Sequence, residues 1–562
     1  MMCELNYNRT LVWKLLFFAI VASYCLYYAP FGVNETDGGF LTGLAWQVLN
    51  GKMLYHDIVY VRPPLPVWLR ALELQILPEH FAVLGERWIF YAKVGLYSWL
   101  GAAVLAKGER RWQLAVLGFV VSAHCYPPMA WHTVDGILFA VLAAFFMVPT
   151  QEQTLENPKK SGGSNFFTLV LAGFCLFCAL LCKQSFYPLL PIFVLFMFLE
   201  KEGRWKRIGW FFGGFALCFV LFFNYLYQYN LLGNFLQMTS GASSGSQALQ
   251  HGVFDYFRIT PELALPSILL LLPVAWWFWK GKNPAFALTA WSLWLFALVA
   301  SFAAITWLRQ NHTAPIAQSR AMFWVALGYC FWLASSDFKR NRLIISSFIV
   351  HRFSFLLLGI SWCASVSWGY NLPMLFATPW VWAGMEVTRI LEAANKPIRF
   401  SKPYRFVMLI GLLLTFRIAH EFVYRDGRRS EMNESMGAIF PQLSGIYSDR
   451  ETADLYRDLK RLAAQYGPNI KTLPAFPQAN YLTKTLPPFP LDWVVNRETN
   501  GDNTLIVKNL QEKKPIIFIQ KSFREKMESD PELEVTRLLF QRDKVVEETP
   551  HFWVVKNYAL LR

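Results

Sequence analysis

Runs of eighteen or more mostly apolar residues recur from near the first residue to about residue 420. Each is long enough to cross the hydrocarbon core of a bilayer as a helix. Backbone in lipid must satisfy its own hydrogen bonds, so such runs commit a chain to membrane-spanning secondary structure. Hydrophobic residues make up 55% of the sequence and charged residues 16%, too apolar a balance for a soluble enzyme of this size. Placing one helix on each run gives about thirteen spans, centred near 20, 97, 120, 142, 174, 193, 218, 270, 296, 326, 356, 382 and 413. The 344–393 region admits one helix fewer. The first run, Leu11 to Ala29, has no small-residue cleavage pattern and leads straight into an acidic loop, so it reads as a retained signal anchor.

A net charge of +15 raises the question of nucleic acid. The distribution answers it. Lys and Arg gather in alternate short connections: 107–111, 159–160, 201–207, 280–282, 339–342 and 396–405. Those connections hold eighteen cations between residues 107 and 405, against four in the intervening ones. This is the positive-inside pattern, and no nucleic-acid partner is expected. It puts the N-terminus in the cytoplasm and the loops 30–87, 124–133, 183–185, 230–260, 309–320 and 367–372 outside. An odd span count puts the C-terminal region outside too.

The first outer loop, 30–87, is only half polar. Its segments GFLTGLAWQVL and PVWLRALELQIL read as short amphipathic helices at the interface, anchored by Trp46 and Trp68. The 230–260 loop contains SGASSGSQ, a flexible stretch suited to a lid. After Arg425 the composition changes. ETADLYRDLKRLAAQYG is an amphipathic helix with Leu455, Leu459, Leu462 and Ala463 on one face. KPIIFIQ and HFWVVKNY read as strands, and TLIVKNLQ as either strand or helix. The expected division is therefore a transmembrane unit over 1–425 and a small extracytoplasmic α/β domain over 426–562. Of nine cysteines, none follows Cys363. Cys175, Cys178 and Cys182 have helical spacing, but with no His beside them they read as packing residues between helices.

An ionisable side chain beside a membrane is costly and so suggests a function. Asp37, in NETDGG, follows the first span directly, and Glu35, His56, Asp57 and Arg62 share its loop before the Pro63-Pro64 turn. Outer cations defy the topological bias, and an anionic headgroup or phosphate would explain Lys183, Arg258, Arg309 and Arg320. Lys183 lies in LLCKQSFYPLL with almost no loop around it; the alternative there is a snorkelling lysine. His124, His132 and Asp135 flank the second outer loop, and Asn311 and His312 stand between Arg309 and Arg320. No phosphate-binding glycine loop or HExxH is present.

Asp37 in the first outer loop, the Gly51-x-x-x-Tyr55-x-Asp57 that follows, and the Pro63-Pro64 pair resemble GT-C glycosyltransferases. The groups they are similar to are the protein O-mannosyltransferase-like enzymes (family 39) and the lipid A aminoarabinose or galacturonic acid transferases (family 83). The resemblance implies a GT-C-type α-helical polytopic fold in a bacterial inner or plasma membrane. It implies a polyprenyl-phosphate-linked sugar as donor, an acceptor outside the cytoplasm, and inversion at the sugar carbon. Asp37 takes the place of the general base, with Asp57 and Glu35 as further catalytic carboxylates. Lys183, Arg62, Arg320 and Arg309 are the candidates for the donor phosphate. His132, Asp135 and His312 are further polar site candidates. Many members carry Asp-Glu where this chain has Asp37-Gly38, with Glu35 two residues earlier. That departure leaves the second carboxylate and a divalent metal open, and no other cofactor is implied. Two other classes remain alternatives: a transporter or lipid flippase, whose polar residues would lie near span midpoints, and a surface-polysaccharide polymerase or ligase.

Overall fold

The computed structural model describes residues 2–123, 127–148, 165–198, 203–240, 345–365, 423, 426–499, 502–542 and 544–556. Its membrane part is a stack of helices: α1 (Met2–Tyr27), α4 (Ala82–Leu105), α5 (Gly108–Ala123), α6 (His132–Phe146), α7 (Phe166–Leu180), α8 (Leu189–Phe198), α9 (Arg204–Gln228) and α11 (Ile345–Ser365). Among the described residues three helices are long and apolar enough to cross a membrane: Arg9–Tyr27, Glu79–Leu105 and Arg204–Gln228. The spans expected near 20, 97, 120, 142, 174, 193, 218 and 356 fall on these eight helices. Those expected near 270, 296, 326, 382 and 413, and the Gly/Ser stretch, lie outside the described residues.

α9 shows why this stack belongs in lipid. Leu217, Phe219, Val220 and Leu221 stand about half exposed in one run. A patch of that size on a water-facing surface would drive aggregation. The opposite face of α9 meets α7 backbone to backbone. A methyl group on Gly173 would sit 1.9 Å from the Phe211 carbonyl oxygen, and one on Gly214 1.8 Å from that of Val170. Apolar helices gain nothing from leaving lipid for one another, so small residues that allow such contact carry the packing.

Two short helices between α1 and α4, α2 (Phe40–Leu49) and α3 (Leu65–Ile76), form in the two segments of the first loop that the sequence marked as helical. Above them sits a four-stranded sheet: β3 (Ile470–Leu473), β4 (Ile516–Gln520), β5 (Val545–Glu548) and β6 (Phe552–Val555), in the order β3-β4-β6-β5. β3 and β4 run parallel and the other pairs antiparallel. Helix α12 (Arg450–Tyr466) starts on an Asp449 cap that accepts from the Thr452 N–H at 2.7 Å, and buries Ala453, Tyr456, Leu459 and Leu462. TLIVKNLQ proves helical, as α15 (Thr504–Lys513), because Ile506 and Leu510 are four residues apart on the buried face.

This upper layer is tied to the first loop. The Tyr447 N–H donates to the Pro30 carbonyl at 2.7 Å and the Gly32 N–H donates to the Tyr447 carbonyl at 2.8 Å. Asp426 accepts from the Val33 N–H at 2.6 Å and the Ser448 hydroxyl at 2.8 Å. Arg87, at the head of α4, donates to the carbonyls of Ala29 (2.6 Å), Phe31 (3.0 Å) and Gly32 (2.6 Å). Trp46 donates to the Thr485 carbonyl, and Gln47 to Asp492, whose other oxygen lies 3.3 Å from the fully buried Lys471 on β3.

Candidate active site

Asp37 is held by an Asx turn. The Asn34 side-chain oxygen accepts from the backbone N–H groups of Thr36 (2.9 Å), Asp37 (2.7 Å) and Gly38 (3.3 Å), and from the Thr36 hydroxyl at 2.9 Å. Asn and Asp favour such turns because a short polar side chain can mimic the next peptide carbonyl. Gly39 follows with φ 77°, a left-handed conformation that opens α2, and a Cβ there would meet Gln478 at 2.6 Å. Half-buried Asp37 thus sits at a fixed turn just before a helix.

From this turn a chain of contacts leads to the cations. Trp493 donates its indole N–H to the Thr36 carbonyl at 2.8 Å. Its ring stacks on Phe40, centroids 4.1 Å apart. The Arg62 guanidinium stands 5.3 Å from the Phe40 centroid and 5.9 Å from that of Trp493. Tyr55, at φ 68°, turns its hydroxyl to donate to the Arg62 carbonyl at 2.7 Å. The connection between α7 and α8 packs against the same strand of chain: Gln184 donates to the Val61 carbonyl at 2.6 Å, and the Leu65 N–H to the Leu181 carbonyl at 3.1 Å. This brings Lys183 into the field of Arg62. Burial, and after it the Arg62 charge, push the Lys183 ammonium down to about 7. Beside them the Tyr60 hydroxyl lies 2.6 Å from His132 Nε2, both side chains buried.

The expected residues therefore divide. Asp37, Arg62, Lys183 and His132 share one neighbourhood. Glu35, from the same loop, lies within electrostatic reach of buried Tyr456 on α12. Asp57 serves its own turn: it accepts from the Met53 N–H at 2.9 Å and lies 3.0 Å from His56 Nδ1. Burial raises its carboxyl, but those two partners and Lys52 outweigh that and hold it below the ordinary value. Asp135 belongs to a buried ladder of charge. Lys93 bridges Asp135 (2.7 Å) and Glu73 (2.8 Å), and Arg70 bridges Glu73 (3.2 Å) and Glu86 (2.5 Å). Arg70 also donates to the Thr42 hydroxyl, and Glu86 accepts from the Ala130 N–H at 2.7 Å. Arg309, His312 and Arg320, with His124, lie outside the described residues.

Two residues come to the site from the C-terminal layer without having been expected: Trp493 and Glu498. The latter accepts two hydrogen bonds from Arg62, at 2.8 and 2.6 Å. Neither carries a motif; a bidentate partner for an out-of-place arginine was the only signal to look for. Among the described residues no three His, Cys, Asp or Glu side chains converge as a metal cage. Cys178 and Cys218, on α7 and α9, lie 3.9 Å apart as buried free thiols.

No protein-family model matches the chain, and no curated protein matches it. Among solved structures it is similar to ArnT from Cupriavidus metallidurans bound to undecaprenyl phosphate, at 11% identity over 98% of each chain with a TM-score of 0.45. It is also similar to the archaeal oligosaccharyltransferase AglB from Archaeoglobus fulgidus in complex with an inhibitory peptide and a dolichol-phosphate, at 12% identity. That match covers 92% of this chain and 70% of the other, with a TM-score of 0.45. The Archaeoglobus fulgidus oligosaccharyltransferase in complex with Zn and sulfate gives 11% identity, 94% and 71% coverage and a TM-score of 0.46.

Proposed function

We propose that this chain is a membrane glycosyltransferase that moves a sugar from a polyprenyl-phosphate carrier to a hydroxyl-bearing acceptor outside the cytoplasm. The observation that carries the reading is one juxtaposition. Trp493 and Phe40 join the acidic turn bearing Asp37 to Arg62, and the bonds Gln184–Val61 and Leu65–Leu181 bring Lys183 beside that arginine at one end of the helix stack.

The chemistry follows from charge. The carrier phosphate leaves as an anion when its bond to the anomeric carbon breaks. Arg62 offers a planar fork and Lys183 a point charge to stabilise it. The acceptor oxygen forms the new bond to that carbon from the opposite face, and its proton passes to the Asp37 carboxylate. One base and no covalent sugar–enzyme bond gives inversion. The phosphate stays in the lipid layer with its prenyl chain, which fits a site at the edge of apolar helices. The bias of Lys and Arg among the connections orients this edge away from the cytoplasm. Glu35 and Asp57 are secondary in this reading, and Arg309, Arg320 and His312 lie outside the described residues.

The test is transfer of radiolabelled sugar from a polyprenyl-phosphate donor in membranes carrying the wild-type or the Asp37→Asn protein. Turnover is expected to fall on the order of 10²-fold or more in the variant. Near-normal turnover in purified, folded Asp37→Asn protein would remove Asp37 from the mechanism.

A further inference from the structure

Arg62 already has an anion. Glu498 meets it with both carboxylate oxygens, and the two side chains are 20% and 4% exposed. A bidentate guanidinium–carboxylate pair has the geometry a guanidinium–phosphate pair would need. The pair therefore occupies the same fork that an anionic ligand would use.

The surroundings separate the Glu498 side chain from its backbone. The short helix Asn496–Thr499 is fastened from its far side. The Arg497 N–H donates to Glu532 at 2.8 Å, Asn496 donates to the Pro531 carbonyl at 2.8 Å, and Asn503 donates to Asn496 at 2.9 Å. Arg62 is fixed independently through its carbonyl, by Tyr55, and through its position beside Phe40 and Trp493. The carboxylate can leave Arg62 by side-chain rotation while both backbones stay in place.

We propose that Glu498 is a displaceable resident anion. It neutralises and aims Arg62 while no donor is bound, an incoming phosphoryl group takes its place on the guanidinium, and it returns when the carrier phosphate departs. The proposal rests on the lipid-linked-donor reading. It gives the C-terminal layer a part in each turnover. An unpaired arginine in this half-buried position would carry the penalty of a desolvated charge. A permanently phosphate-seeking one would hold the product.

The test is binding of undecaprenyl phosphate to the full-length protein in detergent micelles. Wild type, Glu498→Gln, Glu498→Asp, Arg62→Gln and the Arg62→Gln/Glu498→Gln double variant are compared, each checked for a cooperative thermal transition. Removing the competing charge is expected to tighten binding on the order of fivefold in Glu498→Gln. Glu498→Asp is expected to tighten it less, through loss of the bidentate geometry. The gain should vanish when Arg62 is already Gln, which identifies the guanidinium as the shared partner. In turnover, Glu498→Gln should lower donor KM and kcat together and sharpen inhibition by undecaprenyl phosphate. Binding that is weaker or unchanged in Glu498→Gln, with wild type binding normally, would make Glu498 a plain positioning residue and overturn the displacement. Absence of binding in every folded variant including wild type would overturn the donor reading along with it.

Discussion

Two groups of charge lie close together here and behave oppositely. The ladder Asp135–Lys93–Glu73–Arg70–Glu86 alternates in sign, is almost fully buried, and has a charged or hydrogen-bonding partner at every step. The cluster at the mouth sets two cations, Arg62 and Lys183, in repulsion, with Glu498 paired to the first and Asp37 in the same neighbourhood. Saturated charge fastens helices: the ladder joins α3, α4 and α6 and reaches α2 through Thr42. On the proposed function, cations brought side by side at an apolar edge would receive an anion. Both groups use the same residue types, and the sign pattern tells scaffold from site.

The largest effect should come from breaking the ladder. Arg70→Met leaves Glu86 without its buried cation and Glu73 with Lys93 alone, and should destabilise the protein by about 3–5 kcal/mol. Thermal or denaturant unfolding in detergent measures this, and a loss below about 1 kcal/mol would demote the ladder to ornament. Asp37→Asn should then reduce turnover by two orders of magnitude or more with little change in stability. At the mouth, Lys183→Ala should raise donor KM or lower kcat by about tenfold, with Lys183→Arg a partial rescue. Donor kinetics unchanged by Lys183→Ala would favour a snorkelling lysine instead.

The same lysine predicts a pH dependence. Its free-state value near 7 lies far below its ordinary 10.5, so it loses its proton as pH rises through 7. An anion that needs the ammonium must restore that proton, so affinity for undecaprenyl phosphate should fall from pH 7 toward 9. Titration calorimetry in buffers of different ionisation enthalpy would detect the proton uptake, and Lys183→Ala should flatten the profile. The smallest effect is expected at Asp57, which caps a turn. Asp57→Asn should change stability by about 1 kcal/mol or less and leave turnover within a few-fold. A collapse of turnover there would bring Asp57 back among the catalytic carboxylates.

Much of the frame was legible in the sequence because it rests on local patterns. Apolar runs marked α1, α4 and α9, and four-residue spacing marked α12. Asp37, Arg62 and Lys183 stood out as charges in the wrong place. TLIVKNLQ was ambiguous because a short apolar run satisfies both periods until Ile506 and Leu510 find a common face. Trp493 and Glu498 were illegible because their meaning arises only when a segment more than 400 residues downstream folds over the first loop. The ladder was missed for a related reason. Arg70, Glu73, Glu86 and Lys93 each look like an isolated blemish in an apolar stretch, and only packing reveals that they cancel. Asp135, read as a mouth residue beside His132, points one turn further along α6 into that ladder.

Arg87 grips three carbonyls in a row, those of Ala29, Phe31 and Gly32, from the first turns of α4. A spanning helix adapts to a thicker or thinner bilayer by changing its tilt. With Arg87 as the rivet, α4 cannot lean without carrying the stretch that ends, five residues past Gly32, at Asp37. On the proposed function, the reach of the carboxylate toward an acceptor is thus expected to depend on acyl-chain length. Turnover in reconstituted vesicles is expected to pass through an optimum as the lipids are varied from short to long chains. Arg87→Lys, which keeps the charge but loses the three-way grip, is expected to broaden that optimum.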